Sequence, residues 1–196
     1  MNEQDFIEAL KAGDNTAFAK LIEDYKNKVY NSCLGIVQSE AEAEDITQEI
    51  FVEVWHSVKN FRGDSKLSTW IYRMSINRSL DYLRKKKRKK AAGLLSLFTK
   101  KDSLEPIVDP PDFHHPGVAL ENKETSAILF AAIDKLPEKQ KTAFVLQNIE
   151  NLSMKEIAEV MQTTPSAVES LLSRARENLK KLLGDYFERN KKNKPR

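Results

Sequence analysis

Three groups of side chains in this sequence have types and spacings suited to chemistry, and all three suit binding rather than catalysis. The first lies over residues 153–176, SMKEIAEVMQTTPSAVESLLSRAR. There Ser166, Ala167, Glu169, Ser170, Ser173, Arg174 and Arg176 share the side of a helix away from an apolar stripe of Val168, Leu172, Ala175, Leu179 and Leu182. Hydroxyls, one carboxylate and two guanidiniums on an outward face match what nucleic acid presents. A carboxylate accepts from a cytosine amine, and arginine holds phosphate or reads guanine. The second group is a turn and the helix behind it: Phe61, Arg62, Gly63, Ser65, Lys66, Thr69 and Trp70, continued on the polar side by Arg73, Asn77, Asp81 and Arg84. Aromatics, cations and hydroxyls mix in this way where unpaired bases stack and phosphates are held. Spacing alone leaves Trp70 two places, on that track or in the core. Asp81 is expected to orient a neighbouring arginine rather than to touch phosphate. The third group is the stripe Asp45, Gln48, Glu49 and Glu53, opposite an apolar face of Ile46, Ile50 and Val54. Its acidity makes it a poor DNA surface; it reads either as a solvated face or as a contact for a basic protein.

Catalysis is excluded by what is missing. No serine, histidine and acid arrangement, no phosphate loop and no metal cluster stands out. His114 and His115 adjoin each other with no third ligand nearby, so they read as loop histidines, and neither metal nor cofactor is expected. Cys33 is the single cysteine and falls among apolar residues at helical spacing, which predicts a buried free thiol and no disulfide within the chain. The start, MNEQDFIEAL, is acidic and lacks the basic-then-apolar pattern of a secretory signal. No apolar stretch approaches membrane-spanning length. These features predict a cytoplasmic protein with no membrane insertion and no small-molecule substrate.

The elements that must position these groups are helices. Apolar residues recur at Phe18, Leu21, Ile22, Tyr25, Val29, Cys33 and Val37, a period near that of an α-helix. Ser39 followed by Glu42 predicts a capping box and a helix running to about residue 57. Its inner face carries Ile46, Ile50 and Val54, joined by Phe51, Trp55 and Val58. Asn60 to Asp64 reads as a turn. A third helix starts near Leu67 with Leu67, Trp70, Ile71 and Met74 inward, and runs to RKKKRKK at 84–90. Four of the seven prolines fall between 106 and 116, which predicts a linker, with a short helix over 92–98. Helices are then expected over 126–136, 138–150, 153–161 and 165–186. Ser153 with Glu156 forms another capping box, Gln162 and Thr163 a tight turn, and Thr164 with Pro165 opens the last helix. That pair of helices is a helix-turn-helix, with small Ala158 near the crossing; a plain helical hairpin used for protein contact would show the same pattern. No β-type alternation of useful length occurs. The fold expected is all-α: two small helical domains at 1–90 and 126–187, a flexible linker at 91–125 and a basic tail at 188–196. Up to Leu83 the chain carries 14 acids and 9 bases, an acidic body followed by the basic edge at 84–90.

These residues together resemble the two-domain sigma factors of the extracytoplasmic-function (ECF) group in the sigma-70 family. The likeness is carried by DITQEIFVEVW at 45–55, FRGDSKLSTWIYRMSINRSLDYLRKKKR at 61–88, and LPEKQKTAFVLQNIENLSMKEIAEVM followed by SRAR and Leu179 in the last domain. The resemblance implies that Asp45, Gln48, Glu49 and Glu53 grip the clamp helices of core RNA polymerase. It implies that Phe61, Arg62, Ser65, Lys66, Thr69, Trp70, Arg73, Asn77 and Arg84 serve the −10 element, with a flipped base near 61–65. Ser166, Ala167, Glu169, Ser170, Ser173, Arg174 and Arg176 would then read the −35 element of promoter DNA, and the linker would pass toward the RNA exit path. It further implies an anti-sigma factor, and a place at the nucleoid in holoenzyme or near the membrane when so held. The chain departs from the family pattern at Met154, where tyrosine is common, at Glu169 and Leu171, where basic residues are common, and at Asn151, where glycine is common. Asparagine tolerates a left-handed backbone, so that turn should survive. The reading from another class is a dimeric DNA-binding regulator with a sensing domain; the acidic stripe and the single-strand-like turn count against it.

Overall fold

The computed structural model describes residues 2–98 and 123–192, with side chains described over 2–92 and 128–184. The expected linker histidines His114 and His115 lie outside the described residues, as does the end of the basic tail. Among the described residues every regular element is helical. In order they are α1 (Glu3–Lys11), α2 (Asn15–Val37), α3 (Glu40–Ser57), a 3-10 turn at Val58–Asn60, α4 (Leu67–Phe98), α5 (Lys123–Asp134), α6 (Glu138–Asn148), α7 (Met154–Val160) and α8 (Pro165–Lys192). They form the two helical regions expected.

The first region packs α1 to α4 around Leu21, Val29, Cys33, Ile46, Ile50, Val54, Leu67 and Ile71, all buried. Local chemistry sets the element ends. Asp14 accepts from the backbone N–H groups of Thr16 and Ala17 at 2.7 and 3.2 Å and so opens α2. Gln38, with φ 56, closes it in the left-handed region. Ser39 does stand at the N-cap of α3, but the expected capping box is not made. Glu42 instead accepts from the Lys86 ammonium on α4. A charge-assisted bond to a docked neighbour is the stronger choice for that carboxylate. The short helix expected over 92–98 is the end of α4, which runs on unbroken. Lysine and arginine are good helix formers, and no proline or glycine interrupts the segment before Gly93. Buried Ser75 and Ser79 return their hydroxyls to the carbonyls of Ile71 and Ser75, so these small polar residues leave no unmet donor where helices approach closely.

The second region packs α5 to α8 around Phe130, Ile133, Leu146, Ile157, Val168, Leu172 and Ala175. Here the predicted local signals are in place. Ser153 and Glu156 form a reciprocal capping box, and the Thr164 hydroxyl accepts from Ala167 N–H at 3.2 Å. Asn151 takes φ 54, as expected for a residue standing where glycine is common. The helix α8 continues to Lys192, beyond the end expected near 186. The two regions also touch each other, α2 against α6 and α4 against α7.

Candidate nucleic-acid interface

On α3 the positions Asp45, Gln48, Glu49 and Glu53 fall on one side, because residues three, four and eight apart share a helix face. All four side chains are exposed, and Val52, 58% exposed, stands among them. Beside this row runs an apolar groove lined by Phe18, Ile22, Phe51, Val52 and Trp55. The rings of Phe18 and Trp55 meet edge to face with centroids 4.7 Å apart, which holds the groove wall in place. The surface therefore offers an apolar trough with a carboxylate rim. It suits a helix that carries apolar residues and basic flanks.

One residue at this surface escaped the sequence reading. Arg78 of α4 reaches across to α3, with Nε 3.4 Å from Glu49 and Nη2 3.4 Å from Glu53. It lies one residue after Asn77, so it turns away from the polar track and toward α3. The pattern of charges four apart within α3 carries no sign of it, since the partner comes from another helix. Exposed ion pairs of this kind contribute only about 0–1 kcal/mol each. Arg78 thus aligns the two carboxylates without sealing them.

The expected track along the turn and α4 divides in three. Arg62, Lys66, Asn77 and Arg84 are exposed and Ser65 is half-buried. Phe61 and Thr69 are in the core, 6% and 3% exposed. The aromatic wall therefore works from below: Phe61 packs on half-buried Trp70 with ring centroids 5.2 Å apart. Trp70 takes an edge position, part of the core and part of the surface. Thr69 has the polar type expected on the outer side, and the approach of neighbouring helices buries it instead. Arg73 is the third case. Its guanidinium donates through Nε and Nη2 to the carbonyl oxygen of Glu159 in α7, at 3.1 and 2.7 Å. Asp81 does hold a neighbouring arginine: Arg84 Nη1 lies 3.1 Å from its Oδ1, while Nη2 lies 2.9 Å from Glu138 of α6. Gly63 adopts φ 79 in the turn, a conformation open to glycine at no steric cost.

In the second region α7, a turn with Gln162 at φ 52, and α8 form the helix-turn-helix. Ala158 is buried at the crossing and leaves room for α8. Ser166, Glu169, Ser170, Ser173, Arg174 and Arg176 are exposed along α8, and Ala167 is half-buried. Arg176 donates to Gln147 of α6 at 2.8 Å, which braces the arginine nearest the middle of the helix. The Ser170 hydroxyl turns back to the Ser166 carbonyl at 3.0 Å, a bond readily exchanged for another partner.

Residues 21–89 match Sigma-70 region 2 and residues 126–179 match Sigma-70, region 4. The ECF RNA polymerase sigma factor SigW of Bacillus subtilis is 35% identical over 184 residues, covering 91% of this chain and 95% of its own. The chain belongs to the ECF group of the sigma-70 family. The RNA polymerase sigma-H factor of Pseudomonas aeruginosa is 34% identical over 186 residues, covering 92% of this chain and 93% of its own. A solved structure of CnrH in complex with the cytosolic domain of CnrY shares the fold, with a TM-score of 0.66 at 22% identity over 93% of this chain and 97% of that one. So does the sigma factor RpoE in complex with the anti-sigma factor NepR from Bartonella quintana, at 0.61 and 19% over 85% and 96%. As an ECF sigma factor the chain binds core RNA polymerase and directs transcription initiation, and it is not itself an enzyme. Of its departures from the common pattern, Met154 and Glu169 are exposed and Leu171 is half-buried.

Proposed function

We propose that the sigma factor divides its work among the surfaces described. The acidic row Asp45, Gln48, Glu49 and Glu53, with its apolar trough, receives the clamp of core RNA polymerase. The exposed residues Arg62, Ser65, Lys66, Asn77 and Arg84, with Arg73 once released from α7, carry the unpaired strand of the −10 element. Phe61, Thr69 and Trp70 support that track from beneath. The front of α8, from Ser166 to Arg176, reads the −35 element as duplex. The domains are taken as 1–90 and 126–187, with 91–125 as the linker, which α4 and α5 enter from either end, and 188–196 as the basic tail, which α8 enters as far as Lys192. The observation that carries this division is the opposition of charge within one small region: carboxylates line α3, while cations and hydroxyls line the turn and α4. One surface suits a basic protein and the other a polyanion. An anti-sigma factor is expected to cover the α3 trough, as a protein that competes with polymerase must. RpoE of Bartonella quintana, which shares the fold, is solved with such a factor. The sigma factor then works in the cytoplasm, at the nucleoid in holoenzyme and near the membrane when its inhibitor is anchored there.

Strand opening tests the first half of this reading. Unstacking costs a few kcal/mol per step, so melting must be offset by contacts available only in the open state. Substitution of Ser65→Ala together with Asn77→Ala should spare the fold, since Asn77 is exposed and Ser65 half-buried. The variant is expected to bind core polymerase normally, yet to lose about tenfold in thymine reactivity on duplex promoters. A pre-melted bubble template should restore much of its transcription. Normal opening of duplex promoters, or no relative gain from the bubble, places the strand elsewhere.

A selection tests the second half. Glu169→Ala should change which −35 sequences are recovered from a randomised pool, because a carboxylate at a base edge discriminates by about 1–3 kcal/mol. Arg174→Ala should weaken binding to all sequences alike and lower the salt slope by about one. An unchanged preference after the Glu169 substitution removes that residue from readout.

A further inference from the structure

The acidic row of α3 has two flanks, and the apolar trough occupies only one of them. On the other flank a groove of about 650 Å³ runs between α3 and α4. Asp45, Glu49, Glu53 and His56 line it from α3, and Arg78 closes it from α4. Asp45, Glu49 and Glu53 follow one another at intervals of four residues, so like charges repel along the helix. Arg78 relieves that repulsion from outside, with Nε 3.4 Å from Glu49 and Nη2 3.4 Å from Glu53.

Arg78 holds these partners loosely. Tight guanidinium–carboxylate bonds measure about 2.7–2.9 Å, and Nε makes no hydrogen bond although Glu49 stands beside it. All three side chains are at least 40% exposed, so water or another ion can replace either partner at little cost. Carboxylates already neutralised by one cation gain less from the next. Arg78 therefore weakens the same field that draws a basic protein to the row.

We propose that Arg78 is a resident stand-in for a cationic side chain of core polymerase. In the free chain it fills the charge site between Glu49 and Glu53. In the complex a guanidinium or ammonium group of the enzyme takes that site, and Arg78 gives it up. The proposal rests on the assignment of the α3 row to polymerase made above, and it adds a sign: one cation of α4 holds the affinity for core below what the carboxylates alone would give. Affinity sets the fraction of enzyme that the chain occupies at a given concentration. Arg78 trims that fraction without touching the promoter-binding face of α8.

The test titrates the fluorescently labelled full chain into core polymerase at low and at physiological salt. Arg78→Gln removes the rival charge and keeps a polar side chain. It is expected to bind core about three- to tenfold more tightly at low salt, the gain that two exposed ion pairs can withhold, and the gain should shrink as salt rises. Arg78→Ala should gain likewise, so the result does not hang on one variant folding. Arg78→Lys keeps a cation at the site and should stay within about twofold of the native chain. Lys87→Gln makes the same change in net charge at an exposed position nine residues on, two and a half turns away on the opposite side of α4, and should also stay within about twofold. Glu49→Gln with Glu53→Gln should weaken binding, and on that background Arg78→Gln should add no gain. Unchanged or weaker binding by the folded Arg78→Gln chain overturns the proposal, since Arg78 then organises the row for its partner. So does an equal gain from Lys87→Gln, or a gain that survives neutralisation of both glutamates. If Asp45→Lys with Glu49→Lys leaves core binding unchanged, the assignment of α3 is itself at fault, and that measurement reports it separately.

Discussion

The double reversal Asp45→Lys with Glu49→Lys is expected to lower the affinity of the chain for core RNA polymerase by roughly a hundredfold or more. Close charge pairs across protein interfaces couple by about 1.5 kcal/mol or more, and reversal replaces attraction with repulsion at two of them. Both residues are exposed and neither contributes to a core, so the fold should be retained. The Glu49 change also removes one of the two carboxylates that Arg78 joins and sets two cations side by side. The loss should therefore exceed that of Asp45→Lys alone by more than charge counting suggests. It should shrink as salt rises, since the rim is solvated and screened over about 8–10 Å at physiological ionic strength. Titration of labelled chain into core polymerase at two salt concentrations measures both effects. Unchanged affinity would remove α3 from the polymerase contact.

The next largest effect is expected from pH, acting through Glu150. Burial pushes its carboxyl up from the ordinary 4.5 to about 7, against the lowering effects of the Tyr72 hydroxyl, the Ser32 hydroxyl and the Lys28 ammonium. Those groups reach it from α4 and α2, and burial together with the neighbouring carboxylate holds the Tyr72 phenol well above its ordinary range. Separation of the two regions returns Glu150 to water. The contact therefore binds more protons closed than open between pH 4.5 and about 7. Linkage then fixes the sign: closure is strongest at the acid end and is progressively lost as pH rises through that window. The difference across it is on the order of 3 kcal/mol. Small-angle scattering of the full chain from pH 5 to pH 8 should show expansion with rising pH. Glu150→Gln keeps an acceptor for Tyr72 but cannot ionise, so it should stay compact throughout. A native chain whose dimensions ignore pH, or a Glu150→Gln chain that expands like it, excludes Glu150 as the group that titrates.

What the sequence could and could not disclose follows from the range of the forces involved. Caps and stripes are local, and they were legible: Ser153 with Glu156, Thr164 before Pro165, and the buried faces of α2, α3 and α8 all appear where spacing placed them. The acidic row on α3 was legible for the same reason, being a single helix face. Contacts between elements distant in sequence were not. Glu42 had a local partner in prospect and took Lys86, 44 residues away. Thr69 has the chemistry of a surface residue and the neighbours of a core one. Arg78 was not legible at all, because its partners Glu49 and Glu53 stand on another helix. The contact between regions did leave a trace in Ser32 to Val37, a run of small and apolar residues with no polar side. A helix segment apolar all round is buried all round, and that pattern calls for a second neighbour which the apolar stripe of α2 did not by itself supply.

Cys33 turns this geometry into a chemical clock. Its thiol is fully buried, and burial pushes its pKa up to about 11 despite hydrogen bonds with Ser79 and Thr47. At neutral pH about one thiol in ten thousand would be thiolate even if a reagent could reach it. Those partners belong to α4 and α3 of the first region, while the Glu150 carboxylate of the second region raises the thiol further. Gly35, two residues on, is rotated by about 200° around α2 and faces α6. Departure of the second region would bare the glycine side of the helix and leave Ser79 and Thr47 beside the thiol. Alkylation of Cys33 is expected to follow the parting of α2 from α3 and α4, where Ser79 and Thr47 stand against the sulfur.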